Sequence, residues 1–219
     1  MHHSDDTLSF DSRCIHGGQA ICETTGAVMP AIYTSSTYAQ ESPGVHKGYE
    51  YSRSHNLTRY SFERAIASLE GAKASADTTS GGFAFSSGLA ASSTCLELLD
   101  AGATIVAGDD MYGGTYRLLS LVRARSQGLN VVYVDTTDLE AVEAVFEAND
   151  VSMIWLETPT NPTLKISDVA AIAAIAKRHN ALTAVDNTFA TPALQRPLEL
   201  GADIVMHSVT KYLGGHSDV

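Results

Sequence analysis

The sequence predicts an α/β protein built on a mostly parallel sheet. Three observations carry that expectation. Short apolar runs, most of them rich in Val and Ile, recur between residues 83 and 208. Stretches of helical periodicity separate them. The chemically distinctive residues cluster just after the runs, where α/β sheets bind their ligands. Runs with little polar alternation suit strands covered by helices on both faces, and strand–helix alternation is the mark of a parallel sheet.

In chain order, residues 1–55 are rich in Gly, Ser, Thr, Tyr and His and lack periodicity, so they read as an irregular arm. Tyr33, Tyr38, Tyr49 and Tyr51 give that arm an aromatic load suited to packing on something else. Tyr60, Phe62, Ala65, Ile66 and Leu69 then recur at helical spacing, and Gly71 closes the run. Residues 72–82 are small and polar and predict a loop. Strands are expected over 83–87, 104–108, 130–135, 153–158, 182–187 and 203–208. Helices are expected over 89–99, 115–127, 139–148, 168–179 and 193–200. No internal repeat or low-complexity tract interrupts the pattern.

Composition narrows the function classes. The 14 Lys and Arg face 25 Asp and Glu, a net charge of −11, which disfavours nucleic acid and anionic membranes as main partners. With 44% hydrophobic residues the chain can build a core, unlike a disordered one. No unbroken apolar run approaches a membrane span, and the first residues lack a secretory-signal layout. Cys14, Cys22 and Cys95 form no Cys-x-x-Cys pair and cannot all pair with one another. A soluble cytoplasmic protein is expected.

The strand ends hold the candidate chemistry. Ser87-Gly88-Leu89 joins a strand to a helix; it is either a plain tight turn or an anion site at a helix start. Tyr112 is either an ordinary half-buried tyrosine or a plate stacked on a flat ligand. Asp186 is either a turn carboxylate or a partner for a protonated ring nitrogen. Lys211 is either a surface lysine or a desolvated amine that forms a Schiff base, with Ser208 and Thr210 before it to hold phosphate oxygens. Ser208-x-x-Lys211 also has the Ser-x-x-Lys form of penicillin-binding enzymes, but that motif needs its serine at a helix start, and Ser208 closes a predicted strand. Dinucleotide fingerprints and P-loops are absent, and His207 and His216 lack metal partners, so no metal is expected. A stacking aromatic, an Asp for a pyridine nitrogen, hydroxyls and Gly amides for a phosphate, and a Lys amine together describe one ligand, pyridoxal 5′-phosphate (PLP).

Tyr51-Ser52-Arg53, Glu157-Thr158-Pro159-Thr160-Asn161-Pro162, Val185-Asp186-Asn187-Thr188-Phe189 and the segment from Ser208 to Asp218 resemble the Cys/Met-metabolism PLP-dependent enzymes. The resemblance spans residues 12–219 and implies a type I, aspartate-aminotransferase-like, large domain over 58–219 behind an arm over 1–57. Carried over by motif, Lys211 is similar to the Schiff-base lysine, Asp186 to the partner of the pyridinium nitrogen, Tyr112 to the ring-stacking residue and Asn161 to the contact of the ring hydroxyl. Gly88, Leu89, Ser208 and Thr210 resemble the phosphate cradle. Tyr51 and Arg53 resemble the pair that reaches the phosphate of a neighbouring subunit, which implies at least a dimer and, in this family, usually a dimer of dimers.

The resemblance implies elimination or replacement on a small sulfur amino acid. Residues 185–189 resemble the γ-acting enzymes more than the β-lyases. Gly113 stands where methionine γ-lyases carry Cys, and Glu50 is more similar to cystathionine γ-lyase than to the enteric-type γ-synthase. Cystathionine γ-lyase activity is therefore expected ahead of cystathionine γ-synthase. A non-catalytic relic or assembly partner is the reading from another class. Asn56-Leu57-Thr58-Arg59 departs from the family's Asn-Pro-Thr-Arg, and 72–82 is longer than usual. The sequence stops eight residues after Lys211, before the small domain that carries the family's substrate-carboxylate arginine; alone, these 219 residues are expected to be inactive or nearly so.

Overall fold

A computed structural model describes residues 8–72 and 81–216. They fall into two compact units, Met1–Ala84 and Phe85–Val219. The expected boundary lay after residue 57; the first unit runs further and includes the helix that follows.

The first unit holds two helices among its described residues. Helix α1 (Phe10–His16) is capped by Ser9, whose hydroxyl accepts from Ser12 N at 3.3 Å. It docks on α2 (Leu57–Glu70), with Arg13 Nη1 donating to Ser68 O at 2.7 Å. The reading of 1–55 as irregular missed α1, and the reason is physical. The helix buries none of its residues, so it leaves no apolar periodicity to find. Helix α2 starts at Asn56, whose side-chain Oδ1 accepts from Thr58 N and Arg59 N, and stops at Gly71 in the left-handed region, φ 72°. Leu57 is its first helical residue, where Pro is merely favoured, and the Asn56 cap is intact. Residues 73–80, most of the long loop, lie outside the described residues.

The second unit is a five-stranded, all-parallel sheet of order β2-β1-β3-β4-β5. Its strands are β1 (Thr104–Gly108), β2 (Asn130–Val134), β3 (Val151–Glu157), β4 (Leu182–Asp186) and β5 (Ile204–Met206). Helix α3 (Gly88–Cys95) precedes β1 and tightens into a 3₁₀ turn, Leu96–Leu98. Helix α4 (Gly113–Arg117) continues through a π-helical stretch, Leu118–Arg123, into α5 (Ala124–Ser126). Helices α6 (Leu139–Ala148) and α7 (Val169–Arg178) follow β2 and β3, each capped by an Asp, Asp138 and Asp168. Helix α8 (Thr191–Leu194) and a 3₁₀ turn, Pro197–Leu200, precede β5.

Strand alternation fills two cores. Along β3, Val151, Ile154 and Leu156 face the cluster that also holds Val142, Phe146, Ile172 and Ile175 of α6 and α7. Met153 and Trp155 face the opposite cluster, with Leu96, Leu118 and Leu119. A sheet covered on both faces explains why its strands read as continuous apolar runs.

Two expectations need correction. Residues 83–87 form no strand: Phe83 and Phe85 are 67% and 45% exposed, and no ladder partner lies beside them among the described residues. Apolar character there was mistaken for burial. The helix expected over 193–200 is broken in two, because Pro197 supplies no N–H to continue it. Among the described residues no helix is long and apolar enough to cross a membrane.

Candidate active site

The chain enters the sheet at β1, steps outward to β2, then returns past β1 to β3. That reversal opens a crevice at the carboxyl ends of the strands. A cleft of ≈ 210 Å³ lies in the second unit, lined by residues that follow β1, β3, β4 and β5 and by the start of α3. Gly88, Leu89, Tyr112, Asn161, Asp186, Ser208, Thr210 and Lys211 all line it. Tyr51 and Arg53 belong to the first unit, where the Arg53 guanidinium lies 5.0 Å from the centre of the Tyr51 ring.

At one end of the cleft Ser87 caps α3, accepting from Ala90 N at 3.1 Å. The N–H groups of residues 88 and 89 begin the helix and have no intrahelical acceptor. Gly88 is needed sterically: a Cβ there would sit 2.8 Å from the Ser208 Cβ and 2.9 Å from its Cα. Gly88→Ala is expected to push these two segments apart and to destabilise the fold by about 1–3 kcal/mol. Urea unfolding of the two proteins, read by far-UV circular dichroism, checks it.

Asp186 ends β4 and is buried. Its Oδ1 accepts from Thr188 N at 3.1 Å and from the Thr188 hydroxyl, which in turn accepts from Ser208 N at 2.8 Å. Burial pushes the Asp186 carboxyl up, while the two Thr188 hydrogen bonds and His207 pull it down. Tyr112, 47% exposed, directly precedes α4, and a Cβ at Gly114 would lie 2.3 Å from a Tyr112 ring carbon. Glycine at 114 therefore leaves that ring its place.

Asn161 lies in a loop with cis peptides before Pro159 and Pro162. The Asp110 carboxylate accepts from the Thr160 and Thr163 hydroxyls and from Thr163 N, tying this loop to the one after β1. Lys165 adds ion pairs to Asp109 and Asp135, both 2.9 Å, and its hydrogen bond to Asp135 leads the causes that hold that carboxyl down at about 2.

The Schiff-base reading called for a desolvated amine and the alternative for a surface lysine; Lys211 and Thr210 are exposed. They lie in turns beyond β5, the last strand in the sheet order, held by backbone bonds such as Lys211 N to Ser208 O at 3.1 Å. Ser217 and Asp218 of the same motif lie outside the described residues.

Sequence reasoning missed Glu157. It ends β3 in register with Asp186, is buried, and is pushed up to about 7, chiefly by burial. Its signal was available: a carboxylate closing an apolar run beside a second one that does the same. Among the described residues no group of three or more His, Cys, Asp or Glu is placed to hold a metal ion.

The model of the Cys/Met metabolism PLP-dependent enzyme family matches residues 11–219. The chain belongs to that family. A Coxiella burnetii protein named cystathionine beta-lyase is 56% identical over 210 residues, which are 96% of this chain and 52% of that one. The crystal structure of metB from Corynebacterium glutamicum superposes with a TM-score of 0.91 at 45% identity, over 99% of this chain and 55% of that one. Cystathionine gamma-lyase from Lactobacillus plantarum, solved with L-serine, superposes at 0.88 with 48% identity, over 97% and 53%. The chain thus spans about half the length of the relatives it matches, and the parallel sheet is the α/β large-domain fold expected of the family.

Proposed function

We propose that the cleft binds PLP and that the protein cleaves the γ-carbon–sulfur bond of L-cystathionine, consuming one water and giving L-cysteine, 2-oxobutanoate and ammonia. The observation that carries this is the meeting on one cleft of a buried carboxylate, Asp186, a lysine, Lys211, and an open helix start at 88–89.

The residues fit the group. Asp186 is a desolvated carboxylate, and a protonated ring nitrogen is the counter-charge such a group favours. The contact between Gly88 and Ser208 lets helix N–H groups and a hydroxyl converge on one phosphate. Thr210, Tyr112 and Asn161 also line the cleft, where they would supply a second hydroxyl, a ring to stack on the cofactor and a contact to its ring hydroxyl. PLP, when bound, supplies an electron sink for charge that develops at the substrate α-carbon. Asp186 would hold a proton on the ring nitrogen. The Lys211 amine would anchor the group, take the α-proton and later relay one at the β-carbon, removing it so that the γ-substituent can leave. Tyr51 and Arg53 serve the phosphate of a neighbouring subunit, so the working unit is at least a dimer and, on family grounds, a dimer of dimers. The arm over 1–57 makes that contact, 58–219 carry the cofactor, and the setting is the cytoplasm.

Two neighbouring reactions stay in view. β-Elimination to homocysteine, pyruvate and ammonia is favoured by the 56% identity to a protein named cystathionine beta-lyase. γ-Replacement on an O-acylhomoserine by cysteine is the synthase alternative, ahead of methionine γ-elimination. The test has two stages. PLP is added to the purified protein, followed by borohydride and peptide mapping. A yellow absorbance band and a pyridoxyl group on Lys211, both lost in Lys211→Ala, are expected; a colourless full-length protein overturns the proposal and leaves the non-catalytic reading. The full-length protein is then given cystathionine, and 2-oxobutanoate with cysteine separates γ-cleavage from pyruvate with homocysteine.

A further inference from the structure

Glu157 belongs to none of the roles above, yet it touches the backbone of two residues that have them. Its Oε2 accepts from Tyr112 N at 2.8 Å and its Oε1 from Asn161 N at 2.8 Å. The side chain therefore spans the seam between the loop after β1 and the loop after β3, where the sheet order reverses. In register it stands beside Asp186 on β4. One carboxylate thus ties together the loops that carry the ring-stacking tyrosine and the ring-hydroxyl asparagine, next to the carboxylate assigned to the ring nitrogen.

We infer that Glu157 is a positioning residue for the cofactor ring: it sets the separation of Tyr112 and Asn161 by accepting one backbone N–H from each. The inference rests on the proposed PLP site and deepens it.

Two considerations support a positioning role over a space-filling one. Burial and the neighbouring Asp186 and Asp110 all work against the ionised form of Glu157, so a carboxylate here is costly. An apolar residue of similar size would avoid that cost but would leave two N–H groups without their acceptor. A carboxylate presents two acceptor oxygens on a rigid plane, which matches two donors arriving from two loops. Glutamine has one acceptor oxygen, and its NH₂ would face the second N–H.

A double-mutant cycle on the full-length protein, reading the dissociation constant of PLP by spectral titration, tests the inference. Glu157→Gln is expected to weaken PLP binding about tenfold, the loss of about 1.4 kcal/mol. In a background that already carries Tyr112→Ala and Asn161→Ala, the same change is expected to weaken binding less than about twofold, because the groups it positions are gone. The visible circular dichroism of the bound cofactor should change in Glu157→Gln and not in a surface control, Glu140→Gln. Equal losses in both backgrounds, or no loss in the parent, overturn the inference. Glu157→Asp keeps charge and both acceptors on a shorter stem; it should fall between parent and Glu157→Gln, and it carries the same cycle if the glutamine variant does not fold. A parent that binds no PLP overturns the proposed site itself, whereas a binding parent with an indifferent Glu157 overturns only the positioning role.

Discussion

Asp186→Asn is expected to move stability and activity in opposite directions. Asparagine keeps the oxygen that accepts from Thr188 N and the Thr188 hydroxyl, so the local turn persists. What is lost is a buried negative charge. Burial raises the folded-state pKa of Asp186, so its ionised form is less favourable folded than unfolded. Its contribution to stability is full below the unfolded carboxylate pKa and is lost as pH rises through the raised folded value. At neutral pH the parent therefore carries a penalty that the asparagine variant lacks. The cofactor-free variant should be at least as stable as the parent at pH 7, with the advantage shrinking towards pH 4. If Asp186 has the proposed role, activity should fall, because nothing would then hold a proton on the ring nitrogen. A loss of about 10²–10³ in kcat/KM is the scale for removing one preorganised electrostatic group. Urea unfolding of the cofactor-free forms at both pH values, beside steady-state kinetics of the full-length enzymes, tests both halves. A destabilised variant with intact kinetics would mean that Asp186 serves only the turn.

Trp155→Ala is expected to be the most damaging single change in the core. Trp155 is 1% exposed and packs in the cluster with Leu96, Leu118 and Leu119. Large aromatic-to-alanine truncations cost about 3–5 kcal/mol, against a total stability of about 5–15 kcal/mol. The damage reaches the site, because Glu157 lies two residues further along β3. Trp155→Phe should cost much less, under about 1.5 kcal/mol. The indole Nε1 has no hydrogen-bond partner among the described residues, so phenylalanine forfeits volume and no bond. Equilibrium urea unfolding of both variants decides it; equal costs would show that indole shape rather than volume holds this layer.

The parallel sheet was legible because β1, β3 and β4 are covered on both faces and their residues carry apolar side chains towards both. Helix α6 was legible because its buried residues, Val142 and Phe146, repeat at helical spacing behind an Asp cap. Helix α1 was not, since it buries none of its residues and is tied to α2 by Arg13 rather than by an apolar stripe. Residues 83–87 were misread because Phe83 and Phe85 look like core residues and are exposed. In the site, the residues singled out at the strand ends were chosen because their chemistry is unusual there, and eight of them line the cleft. Glu157 was not, because its role is to hold the backbone of Tyr112 and Asn161. Its place as a carboxylate closing an apolar run was visible, but links to backbone groups 45 and four positions away were not.

The strand order has a kinetic consequence. Each pairing in an all-parallel sheet joins segments separated by a complete crossover, so its ladders close few local loops and contact order is high. Gly88, Tyr112, Glu157, Asp186 and Lys211 come from five separate segments of the chain and meet only once β1, β3, β4 and β5 are side by side. A nascent or partly folded chain has the residues but not the cleft. Cofactor capture should therefore be a late event in refolding, trailing the recovery of helical signal, and the yellow colour would serve as a clock for completion of the sheet.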